Sequence, residues 1–201
     1  MKLLKAFFLL NCLYFYLMPQ AEALKVGDTA PKFSLKNIDG KMVSLNAREN
    51  IKGYVIVFTS NSCPYSALYE DRLIALQTKY SGQGFPVIAI QSNSPKIVAE
   101  DSFEKMKERA NEKGFNFPYL MDTNDQETVK SFGATNTPQV YILKKELAGS
   151  FTVAYIGAID NNSRNPSDAT KRYVEMALDQ LLGEEPVETP NTKAIGCVIK
   201  H

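Results

Sequence analysis

In the stretch 54–69, YVIVFTSNSCPYSALY, an apolar run ends in a cysteine and a proline and gives way to an amphipathic pattern. The run reads as a buried strand and the pattern as a helix, which places Cys63 at a helix N-terminus. Unpaired first-turn amides and the positive end of the helix dipole stabilise negative charge there, so the position favours a thiolate. Thiolate chemistry is therefore to be sought at Cys63. Pro64 fits the first helical turn, where no amide donor is needed. Tyr65 reads either as a surface for substrate or as a partly packed aromatic. Ser66, one turn on from Cys63, reads either as a hydrogen-bond donor to the thiolate or as a plain first-turn serine. Glu70, Asp71 and Arg72 read as a solvated helix face with an ion pair of little energetic value, with Arg72 as an orienting cation the second reading.

Composition narrows the setting of this chemistry. The chain has 201 residues, 44% hydrophobic and 22% charged, enough for one sizeable core. A net charge of +1, with both signs scattered, leaves no footprint for nucleic acid or an anionic membrane. Lys2 and Lys5 precede an apolar run over 6–18, and Pro19 and Ala21-Glu22-Ala23 follow. This is the order of a secretory signal peptide over 1–23, cleaved after Ala23. The run is short for a membrane span, and an uncleaved or lipidated N-terminus is the only membrane attachment to consider. Cys12 follows Asn11 where a lipoprotein signal wants a small residue, so it is expected to leave with the signal. Cleavage leaves Cys63 and Cys197, which read as a disulfide, a redox pair or two unrelated side chains. One histidine, His201, argues against a histidine dyad or a histidine-rich metal site. No phosphate loop or dinucleotide fingerprint is present, and no cofactor is expected.

The elements that must position Cys63 alternate between strand and helix. Short strands over 33–35 and 42–45 flank an Asp39-Gly40 turn, and the strand 54–59 follows. Spacings of three and four predict a helix over 64–80. Apolar runs predict strands at 85–91, 117–121 and 139–143, with 151–156 antiparallel to the last. Helices are expected over 95–113, 126–132 and 166–182, the last ended by Gly183. This order argues for an α/β domain over 24–183 with helices on both faces of a sheet. A tail over 184–201, with Pro186, Pro190 and no helical period, is expected to lie extended over the domain.

A cysteine at a strand-to-helix junction, and Thr137-Pro138 directly before a strand, together resemble the thioredoxin superfamily over roughly 26–182. The resemblance implies a thioredoxin-like fold with a central mixed sheet, and a cis Pro138 facing Cys63. It also lets the backbone of Thr137 pair with an extended peptide or thiol substrate. VGDTAPKFSL, DGKMVSL and CPYSALYEDRL resemble the redoxin branch, which holds peroxiredoxin-like and exported thioredoxin-like proteins. GCVIK around Cys197 resembles the C-terminal cysteine motif of some exported members.

The departures are informative. A CxxC pair has its second cysteine where this chain has Ser66, so the local resolving thiol is missing. The peroxidase pattern wants proline seven residues before the cysteine and Thr or Ser three before it; here stand Ile56 and Ser60. The buried aspartate that thioredoxins place six residues before the cysteine is Val57 here. Cys197 is left to replace the missing thiol, with the tail folded back so that the two Cα atoms stand ~5.5 Å apart. The expected function is an exported thiol-disulfide oxidoreductase with Cys63 as nucleophile and Cys197 as resolving cysteine, in a bacterial periplasm or envelope. Its partners would be a thiol or disulfide substrate and an electron donor. The alternatives are a peroxiredoxin-like, antioxidant hydroperoxide reductase and a non-catalytic binding module with a structural disulfide.

Overall fold

The computed structural model describes residues 23–46, 49–123 and 125–201, so the signal expected over 1–23 lies, apart from Ala23, outside the described residues. The chain order is β1 (Ser34–Asn37), β2 (Met42–Ser44), β3 (Gly53–Thr59), α1 (Pro64–Tyr80), β4 (Val87–Gln91), α2 (Phe103–Lys113) and β5 (Tyr119–Met121), followed by α3 (Glu127–Phe132), β6 (Asn136–Thr137), β7 (Gln139–Lys145), β8 (Phe151–Gly157), α4 (Tyr173–Leu182) and β9 (Cys197–Val198). Seven strands form one mixed sheet in the order β2-β1-β5-β4-β3-β7-β8, and β6 and β9 form a separate pair. The strands β3, β4 and β5 are parallel, while β7 pairs antiparallel with β3 and β8 antiparallel with β7.

β3 is buried along its whole length, as its continuous apolar run requires of a central strand covered on both faces. Its odd positions Val55 and Val57 join Val87, Ala89, Val140 and Ile142 beneath α1, α2 and α4. Its even positions Tyr54, Ile56 and Phe58 join Ile88, Ile90, Tyr141 and Leu143 on the face covered by Val129 and Phe132 of α3. The expected mixed sheet with helices on both faces is thus present. One feature of β8 escapes simple alternation: the register shifts between Ile142 and Leu143, which face Tyr155 and Val153. The extra residue, Ala154, reverses the phase of the strand, so Val153 joins the α3 face and Tyr155 the α1 face.

Two helices start later than their periodicity suggests. The helix expected from Pro95 begins only at Phe103, after a tight turn over Ala99–Asp101. Asp101 turns inward, where Ser60, Ser62 and Asn93 donate to its carboxylate, and Ser102 is extended before the helix begins. The helix expected from Pro166 begins at Tyr173, because Asn161 and Lys171 exchange hydrogen bonds that hold the intervening chain as a loop.

Candidate active site

Cys63 is the residue immediately before α1, in extended conformation, with Pro64 in the first helical turn. Its side chain is buried at 1% exposure. It is joined to Cys197 of β9 in a disulfide whose Cα atoms are 5.9 Å apart. Pro138 is buried opposite, and the peptide bond from Thr137 is cis, as the resemblance implies. The carbonyl oxygen of Thr137 lies 3.0 Å from Cys63 Sγ, where a reduced thiol would donate to it. Tyr65 is half-buried and Pro64 exposed. Ser66 is buried, and its Oγ and the Thr137 Oγ1 have no hydrogen-bond partner. Of the two readings of Ser66, the bond to the sulfur is not made in the disulfide form, where the sulfur carries no charge to attract it.

The loop ahead of Cys63 is held by a residue the sequence reading passed over. Asp101, fully buried, accepts from Ser62 N at 3.1 Å, Ser62 Oγ at 2.8 Å, Ser60 Oγ at 3.2 Å and Asn93 Nδ2 at 2.8 Å. Asn61 is tied from two sides, donating to the Glu100 carbonyl and accepting from Tyr119 Oη. Burial, and then the Asp101 carboxylate, push the Tyr119 hydroxyl well above its ordinary pKa. Asp101 was hidden because its stretch reads as helical. No local signal marks it: Ser102 makes no side-chain cap bond, and the donors to Asp101 come from the loop before α1 and from Asn93.

The tail closes the site. Thr137 pairs with Cys197 and Asn136 with Val198 in an antiparallel ladder. Ile199 N donates to the Thr135 carbonyl at 3.0 Å, and Ile199, 3% exposed, joins the apolar cluster of the α3 face. Lys200 N donates to Asn93 Oδ1 at 2.8 Å, so the amide that binds Asp101 also binds the tail. Further back, Thr192 N donates to the Ile156 carbonyl, and Thr192 Oγ1 accepts from Ala158 N. Gly157, at φ +154, leaves the space Thr192 fills.

The acidic and basic residues of α1 correct the solvated-face reading. Glu70 is buried and receives both Arg109 Nε and Nη2 at 2.8 Å, tying α1 to α2. Arg72 pairs with the buried Asp160 and donates to the carbonyls of Asn162 and Ser163, so its guanidinium is committed away from Cys63. Asp71 alone is exposed. Isolated i,i+4 reasoning could not see these partners, which come from distant segments. Among the described residues no group of three or more His, Cys, Asp or Glu is placed to hold a metal ion, and no helix is long and apolar enough to cross a membrane.

The sequence and the fold that carry this site are similar to those of known proteins. The thiol-disulfide oxidoreductase ResA of Geobacillus thermodenitrificans is 26% identical over 133 residues, which span 66% of this chain and 71% of that protein. The crystal structure of an uncharacterized conserved protein from Geobacillus kaustophilus matches with a TM-score of 0.79 and 34% identity, covering 90% of this chain and 94% of that one. A thiol:disulfide interchange protein of the thioredoxin family from Chlorobium tepidum shares the fold, with a TM-score of 0.55 at 22% identity, covering 78% of this chain and 99% of that one. The AhpC/TSA family model matches residues 26–151, from the strap ahead of β1 through the start of β8 and with Cys63 inside it, and the chain belongs to that family.

Proposed function

We propose that the protein is an exported thiol-disulfide oxidoreductase in which Cys63 is the nucleophile and Cys197 the resolving cysteine. The observation that carries this reading is the bond between Cys63 and Cys197, with Cys63 immediately before α1. A bridge that served only to hold the tail would not need a sulfur at a helix N-terminus, where first-turn amides and the helix dipole stabilise a thiolate. A thiolate on Cys63 would take a hydrogen bond from Ser66, three residues on along the same helical face. The cycle balances. The Cys63 thiolate attacks one sulfur of a substrate disulfide, forms a mixed disulfide and expels the first thiolate. The Cys197 thiolate then attacks Cys63 Sγ and expels the second. Two electrons pass from the protein dithiol to the substrate, and a dithiol donor returns them. The ResA relative supports the reaction class. The signal-like leader and a disulfide that persists in oxidising compartments support export.

Hydroperoxide reduction fits less well. Ser60, the residue matching the peroxidase pattern, spends its hydroxyl on Asp101, and Ile56 lies inside the sheet where that pattern wants proline.

The test is Cys197→Ser. It is expected to trap mixed disulfides on Cys63 and lower turnover of a disulfide substrate by at least tenfold; unchanged turnover removes Cys197 from the cycle. Graded reduction with non-reducing peptide mapping reads the same pair. A bridge opening between about −270 and −120 mV behaves as a catalytic couple, whereas one below about −300 mV is structural and favours the binding module.

A further inference from the structure

We propose that the groove holding residues 196–201 is the substrate-binding site, that the C-terminal segment is its resident occupant, and that the substrate admitted when the bridge is reduced is an extended cysteine peptide with glycine immediately before the cysteine and an aliphatic residue two positions after it. The proposal rests on the thiol-disulfide reading above and deepens it by naming the substrate class.

The groove grips the tail mainly through its backbone. Cys197 and Val198 pair with Thr137 and Asn136, and Ile199 N donates to the Thr135 carbonyl. Lys200 is clamped at both backbone groups: its N–H donates to Asn93 Oδ1, and its carbonyl accepts from Ser94 N at 3.0 Å and Gln126 Nε2 at 2.9 Å. Any extended peptide makes these bonds, which is the logic of strand addition at a sheet edge. Gln126 is held in the left-handed region at φ 53 with its side chain buried, a conformation that a non-glycine residue keeps only where its surroundings enforce it. Its carboxamide also donates to the Ser92 carbonyl, which fixes the donor aimed at Lys200.

Side chains restrict the groove at two positions beside the cysteine. A Cβ on Gly196 would fall inside the Thr137 carbonyl, backbone that cannot give way without moving Pro138. Ile199, at 3% exposure, is enclosed within the apolar cluster of the α3 face. Val198, by contrast, is 72% exposed and Lys200 is exposed, so neither selects. The preference is thus glycine, cysteine, any residue, aliphatic residue.

Substrate and tail cannot share the groove. On reduction residues 196–201 leave it, while Thr192 stays hydrogen-bonded to Ile156 and Ala158 and keeps Cys197 within a short tether. The Cys63 thiolate attacks the cysteine sulfur of the peptide in a disulfide with a second thiol, expelling that thiol as thiolate. The peptide strand then lifts out of the groove with its sulfur still bonded to Cys63, and the tail strand re-enters; the Cys197 thiolate attacks Cys63 Sγ and expels the peptide thiolate on the far side. The protons lost by the two protein thiols end on the two released thiols, so closing the bridge and ejecting the product are one event.

The experiment is single-turnover reduction by the full, reduced protein of three synthetic peptides, each joined to glutathione through its cysteine: KAIGCVIKH, matching residues 193–201, and its counterparts carrying Gly196→Ala or Ile199→Asp. Glutathione disulfide is the small-molecule control. The first peptide is expected to oxidise the protein at least tenfold faster than either counterpart. Equal rates for all three, with glutathione disulfide also reduced, overturn the proposal and leave the oxidoreductase reading standing. No reaction with any probe overturns both.

Discussion

Cys63 takes its character from what one turn of helix and one loop place around it. The nearest local candidate for a second thiol is Ser66, which is buried, unpartnered and three residues along α1. Introducing Ser66→Cys into the Cys197→Ser chain is therefore expected to recover disulfide turnover to within about tenfold of the native protein, because residues three apart on a helix face one another. Steady-state kinetics with a small disulfide checks this, and failure to recover would show that the site needs its remote thiol for more than electrons. Cys63, its helix and the missing local partner were legible in sequence, since each depends on neighbours only a few residues away. Asp101, Asn93 and Gln126 were not, because nothing local marks a side chain whose partners arrive from another strand.

Among the elements, α1 is fixed by two charged contacts that sequence periodicity presented as a solvated face. At one the buried Glu70 meets Arg109 of α2; at the other Arg72 meets Asp160 in the loop after β8, where Tyr69 Oη also donates to Asp160. Removing one partner of a buried pair strands the other, at a cost of about 3 kcal/mol or more. Asp160→Ala is accordingly expected to lower stability by about that amount in urea unfolding while leaving the sheet intact; a loss under about 1 kcal/mol would mean that the carbonyls of Asn162 and Ser163 suffice for the guanidinium. The late starts of α2 and α4 have the same origin. Polar side chains at Asp101 and Asn161 form tertiary and loop hydrogen bonds that compete with the helix, a competition periodicity does not register.

For the whole molecule, the bridge closes a loop across a sequence separation of 134 residues. In the chain-entropy model such a closure contributes about 5 kcal/mol. Reduction with the thiols alkylated is expected to lower Tm by roughly 10 °C or more for a chain of this length, read by calorimetry. An unchanged Tm would mean that the backbone bonds of residues 190–201 hold the tail without the sulfur. The tyrosines add a dependence on alkali. Burial, and then the Asp160 carboxylate, raise the Tyr69 hydroxyl above its ordinary value, and burial is the first cause for Tyr80, Tyr119, Tyr141 and Tyr155 as well. A pKa raised by folding contributes stability that is complete below the unfolded value near 10 and is lost as pH climbs above it. Urea midpoints are therefore expected to hold steady up to about pH 9 and to fall beyond about pH 10; a flat profile to pH 11 would contradict the burial of these hydroxyls.

The sequence by itself determined the α/β order, the central buried strand and the placement of Cys63 before α1, because strand and helix periods are written within a few neighbouring residues; the cis bond at Pro138 was implied only by resemblance, and the structure decided it. Tertiary structure alone decided what surrounds the sulfur. Ser62 meets Asp101 at a separation of 39 residues, and Asn93 meets Lys200 at a separation of 107. Contacts of that range follow from how the sheet and its two apolar faces stack, and a polar side chain carries no periodic mark of which distant donor the packing will bring to it.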